Sequence, residues 1–411
     1  MARLLYADPD GRLHTDPSRE AVARSGWETV PTERLIPAPP GTTLVHLPGR
    51  LATGADAAPA VSGRLAVAAV LPPGYLRTQL PAYEQAAAAP VLPLFGYAAV
   101  GIVDGEPRVA AIRTDEWDAW DPQAAERQKL APALRTAQRA LPDNRLVHHL
   151  TTCATDYRCL TAQNLFLGRG EGAIPVSPAC NAACLGCISE QWGEVDSPQT
   201  RLGFAPSAME IAELAAWHLA RAPENFVSFG QGCEGEPLTR GNVLVEATRR
   251  IRAAAPQATI HINSNGSRPA VLGRLIDAGL NSIRISLFSL DDTRFRAYYR
   301  PVGYGLAELA ECADLMRRSG GQLTINLLTF PGITDAPAEI DALVAFIARH
   351  GVHQVQLRTL NVDPLWLIDR IPAPTRGIGM RRFLETLRRR CPGLQLGNFT
   401  RPWAVRQPIS A

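Results

Sequence analysis

The sequence predicts an α/β protein: a parallel sheet curving into a barrel or part of one, with a smaller β-rich region ahead of it. Three observations carry this. From about residue 172 onward, short apolar runs alternate with helical patterns, six times over. Crossovers between parallel strands are right-handed, so such a series curls on itself. Before about residue 145 prolines are frequent, and the apolar runs are short and separated by turn residues.

The elements follow in order. Residues 4–6 and 13–14 flank Asp8-Pro9-Asp10-Gly11, which predicts a hairpin. Residues 97–103 and 109–112 flank Asp104-Gly105, which predicts a second. A polar helix over about 123–141 leads into a cysteine-containing segment. Strands are then predicted at 173–176, 226–229, 259–262, 283–287, 323–328 and 352–357. Ser207 and Glu210 form a capping box ahead of one intervening helix. Asp335 with Pro337 opens another helix, and Gly351 closes it. The expected organisation is a β-rich domain over 1–145, a linker over 146–171, the barrel over 172–371 and a C-terminal extension over 372–411. The extension reads as a helix from Gly379 to Arg390 and then an irregular tail.

Of the 411 residues, 46% are hydrophobic and 20% charged, which excludes a disordered chain. Net charge is +3 and Lys129 is the only lysine, so no broad basic field favours nucleic acid. The arginine pairs and triplet at 249–250, 381–382 and 388–390 sit in helical patterns, where such runs are solvated faces. No apolar run approaches the roughly 18 residues of a membrane span. The first residues lack an export-signal pattern, so the expected location is cytoplasmic. Of eight cysteines, five fall within 153–187, which in such a protein points to metal or catalysis rather than disulfides.

The strongest motif is Cys180-Asn-Ala-Ala-Cys184-Leu-Gly-Cys187, directly after the first strand of the α/β part. Three thiolates at this spacing can hold three irons of a [4Fe–4S] cluster and leave the fourth open to a ligand. The same spacing also lies on one helix face as small buried side chains, or supplies part of a structural zinc site.

With its neighbours the motif resembles the radical S-adenosylmethionine (SAM) superfamily, over about 172–365. That family carries a C-x3-C-x2-C loop after the first strand of a partial (β/α)6 barrel of the TIM type. The stretch Cys233-Glu-Gly235-Glu236-Pro237 resembles its glycine–glycine–glutamate–proline motif, with Glu234 where the first glycine would stand. Asn265-Gly266, Arg284-x-Ser286 and Asn326 fall where the family places further SAM contacts. The residue before the third cysteine is often aromatic in the family; here it is Gly186. The resemblance implies a [4Fe–4S] cluster on Cys180, Cys184 and Cys187, with SAM bound by Gly235, Glu236, Pro237, Asn265, Arg284, Ser286 and Asn326. It implies one electron from a ferredoxin or flavodoxin, cleavage of SAM to a 5′-deoxyadenosyl radical, and hydrogen abstraction from a substrate.

Substrate-facing candidates are His261 on the third strand, Arg300 after the fourth, and Arg358, Asn361 and Asp363 after the sixth. Upstream, His148, Cys153 and Cys159 form His-x4-Cys-x5-Cys, similar to the motif with which lipoyl synthases hold a sulfur-donating auxiliary cluster. Three functional readings stay open: a single-cluster enzyme acting on a small molecule, peptide, protein or RNA; a dual-cluster, sulfur-inserting enzyme using Cys153 and Cys159; and a non-catalytic, metal-stabilised binding protein.

Overall fold

The computed structural model describes residues 1–55, 63–115, 128–191 and 197–403. Both predicted hairpins form. Arg3–Ala7 pairs antiparallel with Leu13–Glu20, placing Leu5 opposite Thr15. Val100–Val103 pairs with Glu106–Val109. Asp104 and Gly105 both take positive φ (53° and 81°), the handedness a two-residue turn needs to match strand twist. These strands belong to an eight-stranded antiparallel sheet, joined by smaller sheets of three and two strands. Leu5, Val67, Val100 and Val109 fill its core.

Among the described residues, three helices connect the two parts: α1 (Leu130–Ala140), α2 (Arg145–Thr155) and α3 (Leu160–Leu167). The predicted helix over 123–141 is realised as α1, and residues 123–127 lie outside the described residues. The Asn144 side chain caps α2 by accepting from the Leu146 N–H.

The second part is a seven-stranded, all-parallel sheet with helices between the strands. The strands are β1 (Glu171–Ile174), β2 (Phe226–Phe229), β3 (Thr259–Ser264), β4 (Ser282–Leu287), β5 (Gln322–Thr329), β6 (Gln354–Thr359) and β7 (Gln395–Gly397). β1 begins two residues earlier than expected. The helix α4 (Ala208–Leu219) carries the predicted Ser207–Glu210 capping box.

Strands β2 to β6 largely alternate, with Phe226 and Leu328 as apolar exceptions on the polar face. Val227, Ile260, Ile262, Ile283, Ile285, Leu323, Ile325, Val355 and Leu357 are fully buried in the main apolar core. Between them, register places Ser228 beside His261, His261 beside Ser282, and Ser282 beside Gln322. One rung on, Asn263, Arg284, Thr324 and Gln354 are neighbours. Side chains two apart share one face, so this face is a hydrogen-bonded polar lining. His261 Nδ1 pairs with Ser282 Oγ at 2.6 Å, and Ser282 Oγ donates to Gln322 Oε1 at 2.7 Å.

β7 corrects the expectation of an irregular tail. It pairs with β6 in parallel. The chain then crosses beneath the strand starts. Gln354 Nε2 donates to the Phe399 carbonyl (2.9 Å), and the Trp403 N–H donates to Thr259 Oγ1 (2.9 Å). The tail therefore closes the end of the barrel opposite the cysteine loop.

Two arginines with no solvent exposure bind the β-rich region to the loop after β6. Arg77 donates to the carbonyls of Phe95 and Leu360, each at 2.8 Å. Arg50 forms a buried ion pair with Asp363. Removing Asp363 would leave the Arg50 charge buried without its partner, so the pair holds one geometry.

Candidate active site at the mouth of the barrel

The cysteine loop leaves β1 at the C-terminal end of the sheet, where loops of parallel barrels converge on ligands. It is held from two sides. The N–H groups of Ala183 and Leu185 donate to the Tyr299 and Tyr298 carbonyls, each at 2.9 Å. On the other side, the N–H groups of Gly235 and Glu236 donate to the carbonyls of Ser177 (2.7 Å) and Ala179 (2.8 Å). A Cβ at 235 would overlap the Ala179 carbonyl, so only glycine permits this approach.

Burial, then the Cys187 and Cys180 sulfurs, pushes the Cys184 thiol well above its usual range. Burial also raises Cys180. Such thiols ionise against a metal and stay protonated without one.

Glu236 is buried, and its carboxylate accepts from Ser264 Oγ (2.6 Å) and the N–H groups of Asn265 (2.8 Å) and Leu238 (3.0 Å). Asn265 Nδ2 donates to Asn181 Oδ1 at 2.9 Å, tying the third-strand turn to the cysteine loop. Glu234, standing where the motif's first glycine would be, has its own task. Its carboxylate accepts from the N–H groups of Val176 (2.7 Å), Ser177 (2.8 Å) and Gln231 (2.6 Å), fixing the exit of β1.

Ser286 and Asn326 are neighbours across β4 and β5. Asn326 Oδ1 and the Tyr299 hydroxyl are buried with no hydrogen-bond partner among the described residues. Buried polar atoms are rarely left so, and a polar guest at the mouth would satisfy them.

The radical SAM superfamily model matches residues 174–346. This part of the chain belongs to the radical SAM superfamily. It is 31% identical over 202 residues to the GTP 3′,8-cyclase of Pseudomonas putida, covering 48% of this chain and 54% of that protein. It is 28% identical over 313 residues to a probable dual-specificity RNA methyltransferase RlmN of Salinispora tropica, covering 69% and 82%. The [FeFe]-hydrogenase maturase HydG of Carboxydothermus hydrogenoformans aligns with TM-score 0.40 and 13% identity, over 66% of this chain and 68% of that one. The chain spans about half the length of the GTP 3′,8-cyclase that it matches.

The family's cofactors are a [4Fe–4S] cluster and SAM, and the donors of this radical SAM chain fit them. Three thiols face one mouth, the glycine at 235 leaves the loop bare, and unpartnered polar atoms line the strand ends. Gly186 also finds its reason. A Cβ there would lie 2.9 Å from the Tyr298 hydroxyl and 3.1 Å from Leu360 Cδ1. Tyr298, stacked on Phe288 at 4.6 Å, puts an aromatic ring beside that position from another loop.

The remaining candidates separate. Arg284 points into the polar lining, where it bonds Gln356 and Thr400, and burial lowers its pKa to about 10. His261 has both ring nitrogens engaged, by Ser282 and Asn263, and burial pushes it down to about 3. It is a neutral part of the lining, unsuited to proton transfer near neutral pH. Asp363 is corrected: Arg50 and the Leu92 N–H (3.1 Å) hold it, and it caps the short helix Pro364–Ile368, so it joins the two parts rather than facing substrate. Asn361 is exposed beside Gly96. Arg300 sits in left-handed conformation at a helix end, exposed and within the field of Cys184. Arg358 lies on β6, where its carbonyl accepts from Thr329 Oγ1 at 3.1 Å; its guanidinium makes no hydrogen bond among the described residues, lies 5.9 Å from the Phe399 ring and feels the charges of Glu171 and Asp115.

The upstream trio is also corrected. His148 is exposed on α2, whereas His149 is the residue that meets Cys153, with Nε2 3.7 Å from Sγ. Cys233 joins them from the loop after β2, and Cys159 stands at the start of α3. The His149–Cys153 spacing of four residues on a helix is a signal visible in sequence; the approach of Cys233 is not.

Proposed function

We propose that this protein is a radical SAM enzyme that carries its cluster on Cys180, Cys184 and Cys187 and abstracts hydrogen from a substrate bearing an anionic group. Cluster and SAM together supply, when bound, one-electron reductive cleavage of a carbon–sulfur bond. The chain's own residues do the rest. Gly235, Glu236 and Pro237 present backbone and a buried carboxylate beside the cysteine loop, as an amino group requires. Asn265, Ser286 and Asn326 line the neighbouring strand ends. Arg284 and His261 support this layer from below.

Arg358 supports the substrate reading, because its guanidinium is half-buried on β6 with no side-chain hydrogen bond among the described residues, which favours an anion. The chain's relatives include a GTP cyclase and a probable RNA methyltransferase, whose substrates carry phosphate. Residues 1–145 act as a cap: the chain around Val91, Leu92 and Pro93 lines a narrow cleft with Gly186, Cys187 and Asn361. Enclosure of this kind keeps a reactive intermediate from solvent. A ferredoxin- or flavodoxin-type protein supplies the electron, and the setting is cytoplasmic. No helix among the described residues is long and apolar enough to cross a membrane.

The observation that carries the reading is the three-thiol loop stapled between the Gly235–Glu236 turn and the Tyr298–Tyr299 turn. Anaerobic reconstitution should load about four irons on this loop, and dithionite should then release 5′-deoxyadenosine from SAM. Release of 5′-deoxyadenosine by a Cys184→Ala variant would overturn the reading.

A further inference from the structure

We propose that His149, Cys153 and Cys233 form a second, mononuclear site for a thiophilic divalent cation of the zinc type, separate from the cysteine triplet. It would fasten helix α2 to the SAM loop. The three donor atoms all lie within 4.8 Å of one another. The His149 Nε2 to Cys153 Sγ separation is 3.7 Å. A tetrahedral zinc with Zn–S near 2.3 Å and Zn–N near 2.0–2.1 Å sets its ligand atoms roughly 3.5–3.8 Å apart. The His149–Cys153 pair therefore stands at the edge length of one ion's coordination shell, and Cys233 lies within 4.8 Å of both.

The chain builds this site from two directions. His149 and Cys153 are four residues apart on α2, so they share a face. Cys233 comes from the loop after β2, where its carbonyl accepts from the Leu202 N–H at 2.7 Å. Cys153 and Cys233 are buried and His149 half-buried. Three donors leave the fourth position of the tetrahedron open, and Cys159, whose N–H donates to the Cys153 carbonyl at 2.9 Å, lies beside the group without belonging to it. A cleft of about 590 Å³, lined by His148, His149, Thr152, Tyr157 and Phe204, opens the site to solvent and provides an entry path.

Two rival readings fit less well. A Cys153–Cys233 disulfide would leave His149 with no part. A polynuclear cluster spreads its thiolates over different irons, which this tight group does not do.

The test does not depend on the SAM cluster. Full-length protein is purified anaerobically with zinc and iron available, and both metals are counted. The expected result is about one zinc per chain, retained when Cys180, Cys184 and Cys187 are all changed to Ala. In Cys153→Ser and Cys233→Ser the zinc should be lost while the triplet's iron stays, which shows that the barrel still folds. Should those variants lose both metals, cobalt(II) added to the triplet-free protein decides. Tetrahedral visible bands with thiolate charge transfer, abolished by adding His149→Ala, support the site. Absence of any bound zinc or cobalt would overturn it, as would zinc persisting in both serine variants. So would a Cys153–Cys233 disulfide in anaerobic protein, or iron entering this site only with sulfide.

Discussion

Two groups of cysteines meet one loop, residues 230–237, and they differ in how they are made. The triplet spans eight consecutive residues from Cys180 to Cys187 on a single loop. Cys153 and Cys233 are 80 residues apart in the chain (233 − 153), yet with His149 they fit inside 4.8 Å. Closeness in sequence and closeness of donor atoms are therefore separate quantities.

The comparison breaks most sharply at Cys184. In Cys184→Ala the triplet should fall from about four irons to nearly none and SAM cleavage should cease. The zinc of the other group should remain, as read by metal analysis of the same sample. Gly235→Ala comes next because this residue lies between the two groups. Its new methyl meets the Ala179 carbonyl directly before Cys180. Overpacking against backbone costs about 1–3 kcal/mol, so thermal unfolding should come earlier and SAM should bind more weakly, read by calorimetry.

Gly186→Ala sharpens the triplet side. The Tyr298 hydroxyl must yield, at a cost of about 1 kcal/mol. Adding Tyr298→Phe removes the obstructing oxygen and should restore part of the stability, a coupling that a double-mutant cycle measures.

The smallest effect is on the α2 side. Glu210 pairs with Arg145 at 2.7 Å and caps α4, which lowers its pKa to about 2 from an ordinary 4.5. A carboxyl lowered on folding adds stability above its unfolded pKa and loses it as pH falls toward the folded one. The advantage of the wild type over Glu210→Gln in Tm should therefore be full above pH 4.5 and vanish near pH 2. The pair is partly exposed, so the shift should be small and weaken with salt.

Much of the fold was legible because period-2 alternation and helix caps are local. Thr-Ile-His-Ile-Asn-Ser and Ser-Ile-Arg-Ile-Ser-Leu announce strands with one apolar and one polar face. β7 was not legible: three residues, Gln-Leu-Gly, carry no apolar run and become a strand only because β6 offers an unpaired edge. Asp363 read as a substrate ligand from its position after β6, since nothing near it in sequence announces Arg50, 313 residues away.

By itself the sequence determined the parallel sheet, the cysteine loop and the glycine turn beside it. Each depends on spacing within a few residues, where backbone geometry alone sets which side chains share a face. Only the tertiary structure decided that Tyr298 stands beside Gly186, that Asp363 belongs to an interdomain ion pair, and that His149 rather than His148 meets Cys153 and Cys233. Those outcomes depend on which distant segments the packed core brings together, and no local period encodes that.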